Sequence, residues 1–160
     1  MKRHRKLRGA ILVGGLAALV AAGYAAAQMG PKVGSGDVVA DRQRLMKLNG
    51  ASWADAQAKM KAGNVEAIAV NAETMALNAM HIATLFPEGS LTDKSKAKPE
   101  VWQKWSEFEA AAKNFVTWSE KLRDAARTKN AAATEAVVKD FGRQACGTCH
   151  TPFRVPPPRS

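Results

Sequence analysis

The sequence predicts an all-α fold, an antiparallel up-down-up-down four-helix bundle. From residue 37 onwards apolar residues recur at intervals of three and four, and Val, Ile and Thr never alternate with polar residues as strands require. Turn signals divide this stretch into four segments. Helices of roughly 20 residues are about 30 Å long, and the mostly short links between them favour antiparallel neighbours.

The first helix is predicted over 37–61 and the second over 65–83. Ser35 or Asp37 would cap the first helix, and Gly63-Asn64 would end it. The second helix would stop before the turn signal at 85–90. The residues expected on or near the buried faces are Val38, Leu45, Ala51, Trp53 and Ala54 in the first helix, and Val65, Ile68, Ala72, Met75, Ala79 and Ile82 in the second.

The third helix is predicted over 99–128 and the fourth over 131–153. A solvated loop at 90–99, rich in Lys, Ser and Thr, leads into the third helix, where Pro99 suits the first turn. An aromatic stripe in this helix is interpreted first as core packing. Three prolines at 156–158 cannot continue the fourth helix and form an extended tail.

The end of the fourth helix carries Cys146-Gly147-Thr148-Cys149-His150, a C-x-x-C-H signature for covalent attachment of haem. The two thiols would form thioethers with two vinyl groups on one porphyrin edge, and the adjacent imidazole would meet the iron. We therefore predict one haem c, bound through Cys146 and Cys149, with His150 as the proximal axial iron ligand. A disulfide oxidoreductase would start a helix after a strand, and a zinc site would need further ligands.

Residues 1–27 have the pattern of a secretory signal. Basic side chains between Lys2 and Arg8 precede an apolar run, and Ala25-Ala26-Ala27 offers a cleavage site. The run is shorter than the roughly 20 strongly apolar residues of a spanning helix. We expect residues 1–27 to be a cleaved signal peptide and residues 28–160 to be one periplasmic domain without stable membrane insertion. An uncleaved N-terminal anchor is the alternative.

The charge balance is modestly basic. The formal charge of +10 includes five positive side chains from the signal, which leaves +5 for residues 28–160. Without an Arg-rich cluster or interleaved aromatic residues, this balance does not predict nucleic-acid binding. It suits an acidic redox partner, and a mixed-charge surface that keeps the protein soluble is the alternative. Both cysteines lie in the haem motif, so no separate disulfide framework is possible.

Several motifs occur together along the chain. Besides the terminal C-x-x-C-H they are Arg-Gln-Arg-Leu-Met-Lys at 42–47, Leu-Phe-Pro-Glu-Gly-Ser at 85–90, Pro-Glu-Val-Trp at 99–102 and Phe-Gly at 141–142. With these motifs the chain resembles the cytochrome c prime family, the class II cytochromes c. The run at 42–47 is similar to the low-spin cytochrome c-556 subgroup.

The resemblance implies roles for three further residues. Met46, four positions after Arg42, would be the distal axial iron ligand, where high-spin members commonly carry Leu. Arg42 would pair with a haem propionate, or else be a solvated helix residue. Arg154 follows the His-x-x-aromatic-Arg pattern and would add positive charge near the haem, although Pro152 departs from the pattern and puts the last helical turn in doubt.

Spacing alone does not select the distal ligand. The predicted mature chain contains Met29, Met46, Met60, Met75 and Met80, of which spacing leaves three or four open, and methionine in a helical core is more often a gap-filler than a ligand. Packing could also hold Met46 away from the iron.

We expect a carrier of single electrons rather than an enzyme, with a His/Met-ligated low-spin haem and periplasmic redox proteins as partners. The alternative is a five-coordinate high-spin cytochrome c prime that binds nitric oxide or carbon monoxide. Family members occur as monomers and dimers, which leaves a homodimer open.

Overall fold

The computed structural model describes residues 34–157. The predicted signal at 1–27, and Met29, lie outside the described residues. The described helices are α1 (Val38–Lys61), α2 (Ile68–Ala79), α3 (Glu100–Gln103), α4 (Trp105–Arg127), α5 (Ala131–Phe141) and α6 (Thr148–Phe153). A 3-10 turn, Ala83–Leu85, follows α2, and a π-helical turn, Gly142–Gly147, joins α5 to α6. Because α3 with α4 forms the third long segment and α5 through α6 the fourth, the predicted four-helix architecture is confirmed.

Side-chain caps set the starts of two helices. The Asp37 carboxylate accepts hydrogen bonds from the backbone N–H groups of Val39 and Ala40, both at 3.0 Å, and so begins α1. Asn130 caps α5 in the same way, because its side chain accepts from the N–H of Ala133 at 3.0 Å. At the other end of α1, Gly63 adopts a φ of 73°, which only glycine reaches without strain.

The core is centred on α4, which packs against α2 and against α5. The predicted stripe on α4 is largely buried, with Phe108, Phe115 and Leu122 on its inner face. Ile68 and Met75 of α2 are fully buried against it. On α1 the expectation was partly wrong, because Ala51 and Ala54 are exposed whereas Val39 and Ala56 are buried. Alanines occur on both faces of this helix, so their positions do not indicate which face is buried.

Helix α1 contacts the C-terminal segment through α5 and not through the part that carries the haem motif. It packs along α2 and also contacts α5, where the rings of Trp53 and Phe141 stack with centroids 4.5 Å apart. No Cα atom of α1 lies within 8 Å of a Cα atom of the π turn or of α6. The helices therefore leave a gap between α1 and the segment that carries the haem motif.

The described part of the chain has two further features of topology. It contains one isolated antiparallel bridge, between Ala97 and Arg154, and no named strand. None of the helices in residues 34–157 is long and apolar enough to cross a membrane.

Candidate haem site

The gap between α1 and α6 is a slot made of two adjoining cavities. The larger, of about 580 Å³, is lined on the α1 side by Val39, Arg42 and Met46. The smaller, of about 120 Å³, continues past Met46 to Trp53. Met46, Ile82, Cys149 and His150 line both cavities. The larger cavity falls in the volume range of cofactor sites, about 300–1,000 Å³.

The π turn sets the direction of the haem motif. A π turn inserts one residue into an α-helix and rotates everything after it by roughly 100° about the axis. The carbonyl of Gln144 accepts two side-chain hydrogen bonds, from Asn114 Nδ2 at 2.6 Å and from Thr148 Oγ1 at 2.7 Å. The bond from Asn114 holds the turn against α4, and the bond from Thr148 joins the turn to the start of α6. The predicted helix over 131–153 has the expected bounds but changes to π geometry over 142–147, a stretch that begins and ends with glycine.

The haem motif itself lines the slot. Cys146 and Cys149 are half-buried free thiols, and both belong to the smaller cavity. Burial raises the pKa of the Cys146 thiol, and burial together with the neighbouring Cys146 raises the pKa of Cys149 to about 11. Burial, and secondarily the positive charge of Arg154, lowers the pKa of His150. A lowered pKa favours the neutral imidazole, which is the form that binds metals.

Among the methionines of residues 34–157, two line the slot. Met46 is half-buried and lines both cavities, while Met75 is fully buried and lines the smaller one. Met80 is 64% exposed, and neither Met80 nor Met60 lines the slot. Met46 lies on α1 and His150 on α6, so the two side chains reach the slot from different walls. Ligation by Met46 stays a prediction.

Arg42 is buried and clamped, not solvated. It is 5% exposed, and its Nη2 donates to the Ser90 carbonyl at 2.6 Å while its Nη1 reaches Ser90 Oγ at 3.5 Å. Its guanidinium carbon lies 4.4 Å from the centroid of the Phe86 ring. Burial lowers the pKa of Arg42, and Asp37 partly opposes this. The side chain lines the larger cavity, and pairing with a propionate stays a prediction.

Helix α6 accommodates Pro152 and ends directly after it, at Phe153. The Phe153 ring is buried and meets Phe108 edge-on, with centroids 5.4 Å apart. Arg154 is extended and half-buried, it lines the larger cavity, and its N–H donates to the His150 carbonyl at 3.1 Å. The Val155 N–H donates to the Lys96 carbonyl at 2.8 Å. The tail therefore closes one side of the slot by pairing with the loop at 96–98.

Two contributors to the site were missed by the sequence reasoning. The segment 86–90, expected to be a turn, supplies a wall of the slot through Phe86 and holds Arg42 through Ser90. Trp102 Nε1 holds this segment by donating to the carbonyls of Phe86 and Pro87, both at 3.1 Å. The other is Asn49, one turn after Met46, which lines the smaller cavity. In the sequence, the aromatic residue Phe86 inside the predicted turn was a signal that this segment could form a wall of the slot. No sequence pattern indicated that Asn49 is buried at the slot.

The slot fits haem in both shape and chemistry. It is a gap between helices with mostly apolar walls, it has two thiols and an imidazole on one side, and it has a buried cation at one end. These residues match what a covalent haem with a proximal histidine needs.

Comparison with known proteins points in the same direction. Residues 37–154 match the family model described as Cytochrome C'. Cytochrome c-556 of Agrobacterium fabrum (strain C58 / ATCC 33970) is 32% identical over 120 residues, which cover 73% of this chain and 80% of that protein. The crystal structure of cytochrome c' from Rubrivivax gelatinosus is 28% identical with a TM-score of 0.65, and the match covers 74% of this chain and 95% of that chain. A cytochrome c' described by its unusual ligand-controlled dimer dissociation is 24% identical with a TM-score of 0.69, over 78% of this chain and 99% of that one.

Proposed function

The chain belongs to the cytochrome c′ family, whose members bind haem c covalently, and on that premise we propose that it carries single electrons through a low-spin haem ligated by His150 and Met46. The proposal places the mature protein in the periplasm, where it would exchange electrons with other redox proteins. No substrate site or general base is part of this function.

One observation carries the proposal. Met46 of α1 and His150 of α6 line both cavities of the slot, so a thioether and an imidazole are available from two different walls. The name of the Agrobacterium relative, cytochrome c-556, supports the same choice. When bound, the haem supplies a ferric/ferrous couple, and an axial methionine raises its reduction potential relative to other axial ligands.

The remaining residues prepare the slot for that couple. Cys146 and Cys149 would fix the porphyrin by thioether bonds, and His150 would bind the iron as the neutral imidazole. Arg42 would offset the charge of a propionate carboxylate. Apolar side chains such as Ile82 and Phe108 exclude water and lower the local dielectric.

The edge of the slot is basic. Lys47 and Lys96 are exposed residues that line the larger cavity, and Arg154 lies beside them. A positive edge around the haem would attract a redox partner with an acidic surface, and the rate of electron exchange would then fall as ionic strength rises.

A second candidate is a five-coordinate, high-spin haem that binds nitric oxide or carbon monoxide. The matched structures favour it, because both are cytochromes c′ and one is described by ligand-controlled dimer dissociation. In that case Met46 would cover the distal face without binding iron. The same relatives leave a homodimer of this chain open.

Spectra of two matched variants separate the candidates. The full chain would be expressed in a host that matures c-type haem, and oxidised and reduced spectra recorded with and without carbon monoxide. We expect the unsubstituted protein to be low-spin and unresponsive to carbon monoxide. We expect Met46→Leu to become high-spin and to bind carbon monoxide, because leucine keeps the volume but has no sulfur. The control Met75→Leu makes the same change in a residue that lines only the smaller cavity, and should stay low-spin.

A high-spin spectrum of the unsubstituted protein that shifts with carbon monoxide would reject ligation by Met46 and support the second candidate. Absence of covalent haem would reject both.

We also propose that residues 1–27 are removed on export, leaving 28–160 as the mature domain. N-terminal sequencing of periplasmic protein should then start at Gln28, whereas retention of Met1 would indicate an anchor.

A further inference from the structure

Asn114 of α4 is joined by a hydrogen bond to the segment that carries the haem motif. Its Nδ2 donates to the Gln144 carbonyl of the π turn at 2.6 Å. Within residues 34–157 this is the one hydrogen bond between α4 and the stretch 142–153. Neither Asn114 nor Gln144 lines the slot, so an effect of this bond on the haem must pass through the π turn.

The bond from Asn114 depends on direction in a way that the neighbouring apolar contacts do not. Ala145, at the centre of the π turn, is buried in the core and also holds the turn in place. Burial of apolar surface is non-directional. A hydrogen bond weakens steeply when donor and acceptor are misaligned, so the bond from Asn114 requires the Gln144 carbonyl to point towards α4.

The second side-chain bond to this carbonyl is local. Thr148 Oγ1 donates to Gln144, four residues back along the chain, at 2.7 Å. Thr74 and Thr117 make the same kind of bond inside the regular α-helices α2 and α4. Because that bond also fits α-helical geometry, the bond from Asn114 is the one of the two that favours π geometry.

The geometry of the turn decides which side chains face the slot. If the π turn were α-helical, every residue after it would be rotated by roughly 100° about the helix axis. Thr148 would then take the direction that Cys149 has now, and Cys149 that of His150. We propose that Asn114 is a positioning residue, whose bond to the π turn keeps the haem that is attached after the turn aligned with Met46. The inference rests on the proposed function, since it takes Met46 as the distal ligand.

Alignment matters because the two walls of the slot are tied to the bundle separately. Two thioethers and the bond from iron to imidazole would join the haem motif and the porphyrin into one unit, so movement of the π turn would carry the haem with it. No Cα atom of α1, which carries Met46, lies within 8 Å of a Cα atom of the π turn or of α6. The distance from iron to the Met46 sulfur therefore depends on how firmly the π turn is held on α4.

Hydrogen exchange of the holoprotein tests whether Asn114 holds the turn. Asn114→Leu keeps a similar volume but has no donor. Amide exchange over 142–150 should become about fivefold faster, the factor that corresponds to a hydrogen bond of about 1 kcal/mol. Asn71→Leu is the matched control, because Asn71 is a buried amide that pairs with Asp55 and Lys59 of α1 and does not line the slot. It should lower stability in urea and change exchange over 142–150 by less than about twofold.

Titration of the ferric holoprotein with free imidazole tests the alignment. Free imidazole competes with an axial methionine for iron, and it succeeds when the turn opens and withdraws the haem. The concentration that replaces Met46 in half of the molecules should fall about fivefold in Asn114→Leu, by the same hydrogen-bond energy. In a Met46→Leu background, where no thioether competes, Asn114→Leu should leave the affinity for imidazole unchanged.

Unchanged exchange over 142–150 in Asn114→Leu would overturn the hold on the turn. Faster exchange with an unchanged affinity for imidazole would overturn the alignment with Met46. A change in affinity that persists in the Met46→Leu background would also overturn it, because Asn114 would then govern access to the haem and not the methionine. If Asn114→Leu yields no holoprotein, Asn114→Ala removes the same donor and is judged by the same outcomes.

The spectrum of the unsubstituted protein tests the proposed function independently. A high-spin spectrum would reject ligation by Met46, while faster exchange in Asn114→Leu would still support the hold on the π turn. A low-spin spectrum, with exchange and imidazole affinity unchanged in Asn114→Leu, would reject the positioning role and leave the electron-carrier function standing.

Discussion

Replacement of Arg42 by leucine should destabilise the holoprotein by about 2–3 kcal/mol. The variant loses a charge-assisted hydrogen bond to the Ser90 carbonyl, worth about 1.5–3 kcal/mol, and leaves that carbonyl without the guanidinium. It also loses the contact between the guanidinium and the Phe86 ring, worth roughly 0.5–2 kcal/mol. Relief of the cost of burying a charge offsets part of this loss, since burial already lowers the pKa of Arg42.

Urea unfolding of the holoprotein, followed by far-UV circular dichroism, measures the effect. With a slope of about 1–3 kcal/mol per molar urea, the midpoint should fall by about 1 M or more. Arg127→Leu is the matched control, because the Arg127 side chain is 61% exposed and the carboxylates that it approaches, Glu73 and Asp124, are 39% and 62% exposed. Such exposed pairs contribute about 0–1 kcal/mol, so its midpoint should barely move.

Equal urea midpoints for the two variants would refute the claim that the hydrogen bond between Arg42 and Ser90 stabilises the fold. Arg42→Lys refines the result, because lysine keeps the charge but lacks the planar donor fork, and should lie between the unsubstituted protein and Arg42→Leu. If Arg42 also offsets a propionate, loss of its charge should lower the reduction potential in Arg42→Leu but not in Arg42→Lys. A potential unchanged in Arg42→Leu would leave the residue with a structural role alone.

Two further predictions concern stability. Phe141→Ala should cost about 3–5 kcal/mol by calorimetry, because Phe141 is fully buried between Trp53 and Phe115, and a loss below 1 kcal/mol would contradict its central place in the core. Backbone hydrogen bonds, of which that from Ala40 has the largest effect, hold the pKa of Asp37 below its ordinary value of 3.8. The Asp37 carboxylate therefore stabilises the fold above pH 3.8, and this stabilisation is lost as the pH falls through the lowered pKa. Asp37→Asn keeps a capping oxygen but does not titrate; its stability should therefore converge on that of the unsubstituted protein in acid, and parallel pH profiles would contradict this.

The residues that sequence patterns located correctly are those whose roles depend on near neighbours. The spacing of Phe108, Phe115 and Leu122 predicts the buried face of α4, since helical periodicity is a local property. The cap at Asp37 is local as well. The C-x-x-C-H motif identifies its cofactor because five consecutive residues contain the whole attachment chemistry.

The features that escaped prediction depend on contacts distant in sequence. The π turn is held by a hydrogen bond from Asn114 to the carbonyl of Gln144, 30 residues further along the chain. The hydrophobic periodicity of the fourth helix contains no information about that bond. Arg42 donates a hydrogen bond to the carbonyl of Ser90, which lies 48 residues further along the chain. The break between α3 and α4 at Lys104, with φ of −125° and ψ of 49°, interrupts a stripe that continues unchanged through it. An amphipathic pattern fixes which face is buried, not where the backbone departs from α-helical geometry.

Besides its packing along α2, α1 has one attachment on each side of Met46, and these two bear on the proposed distal side of the haem. Near one end, Arg42 ties the helix to the segment 86–90, and near the other, Trp53 stacks on Phe141 of α5. Met46 and Asn49 lie between these attachments, on the stretch that borders the slot. If Met46 binds iron as we propose, a wall restrained on both sides would keep the thioether in place when the charge of the haem changes. Similar coordination in both oxidation states is what a one-electron carrier requires, so this restraint would serve the proposed function.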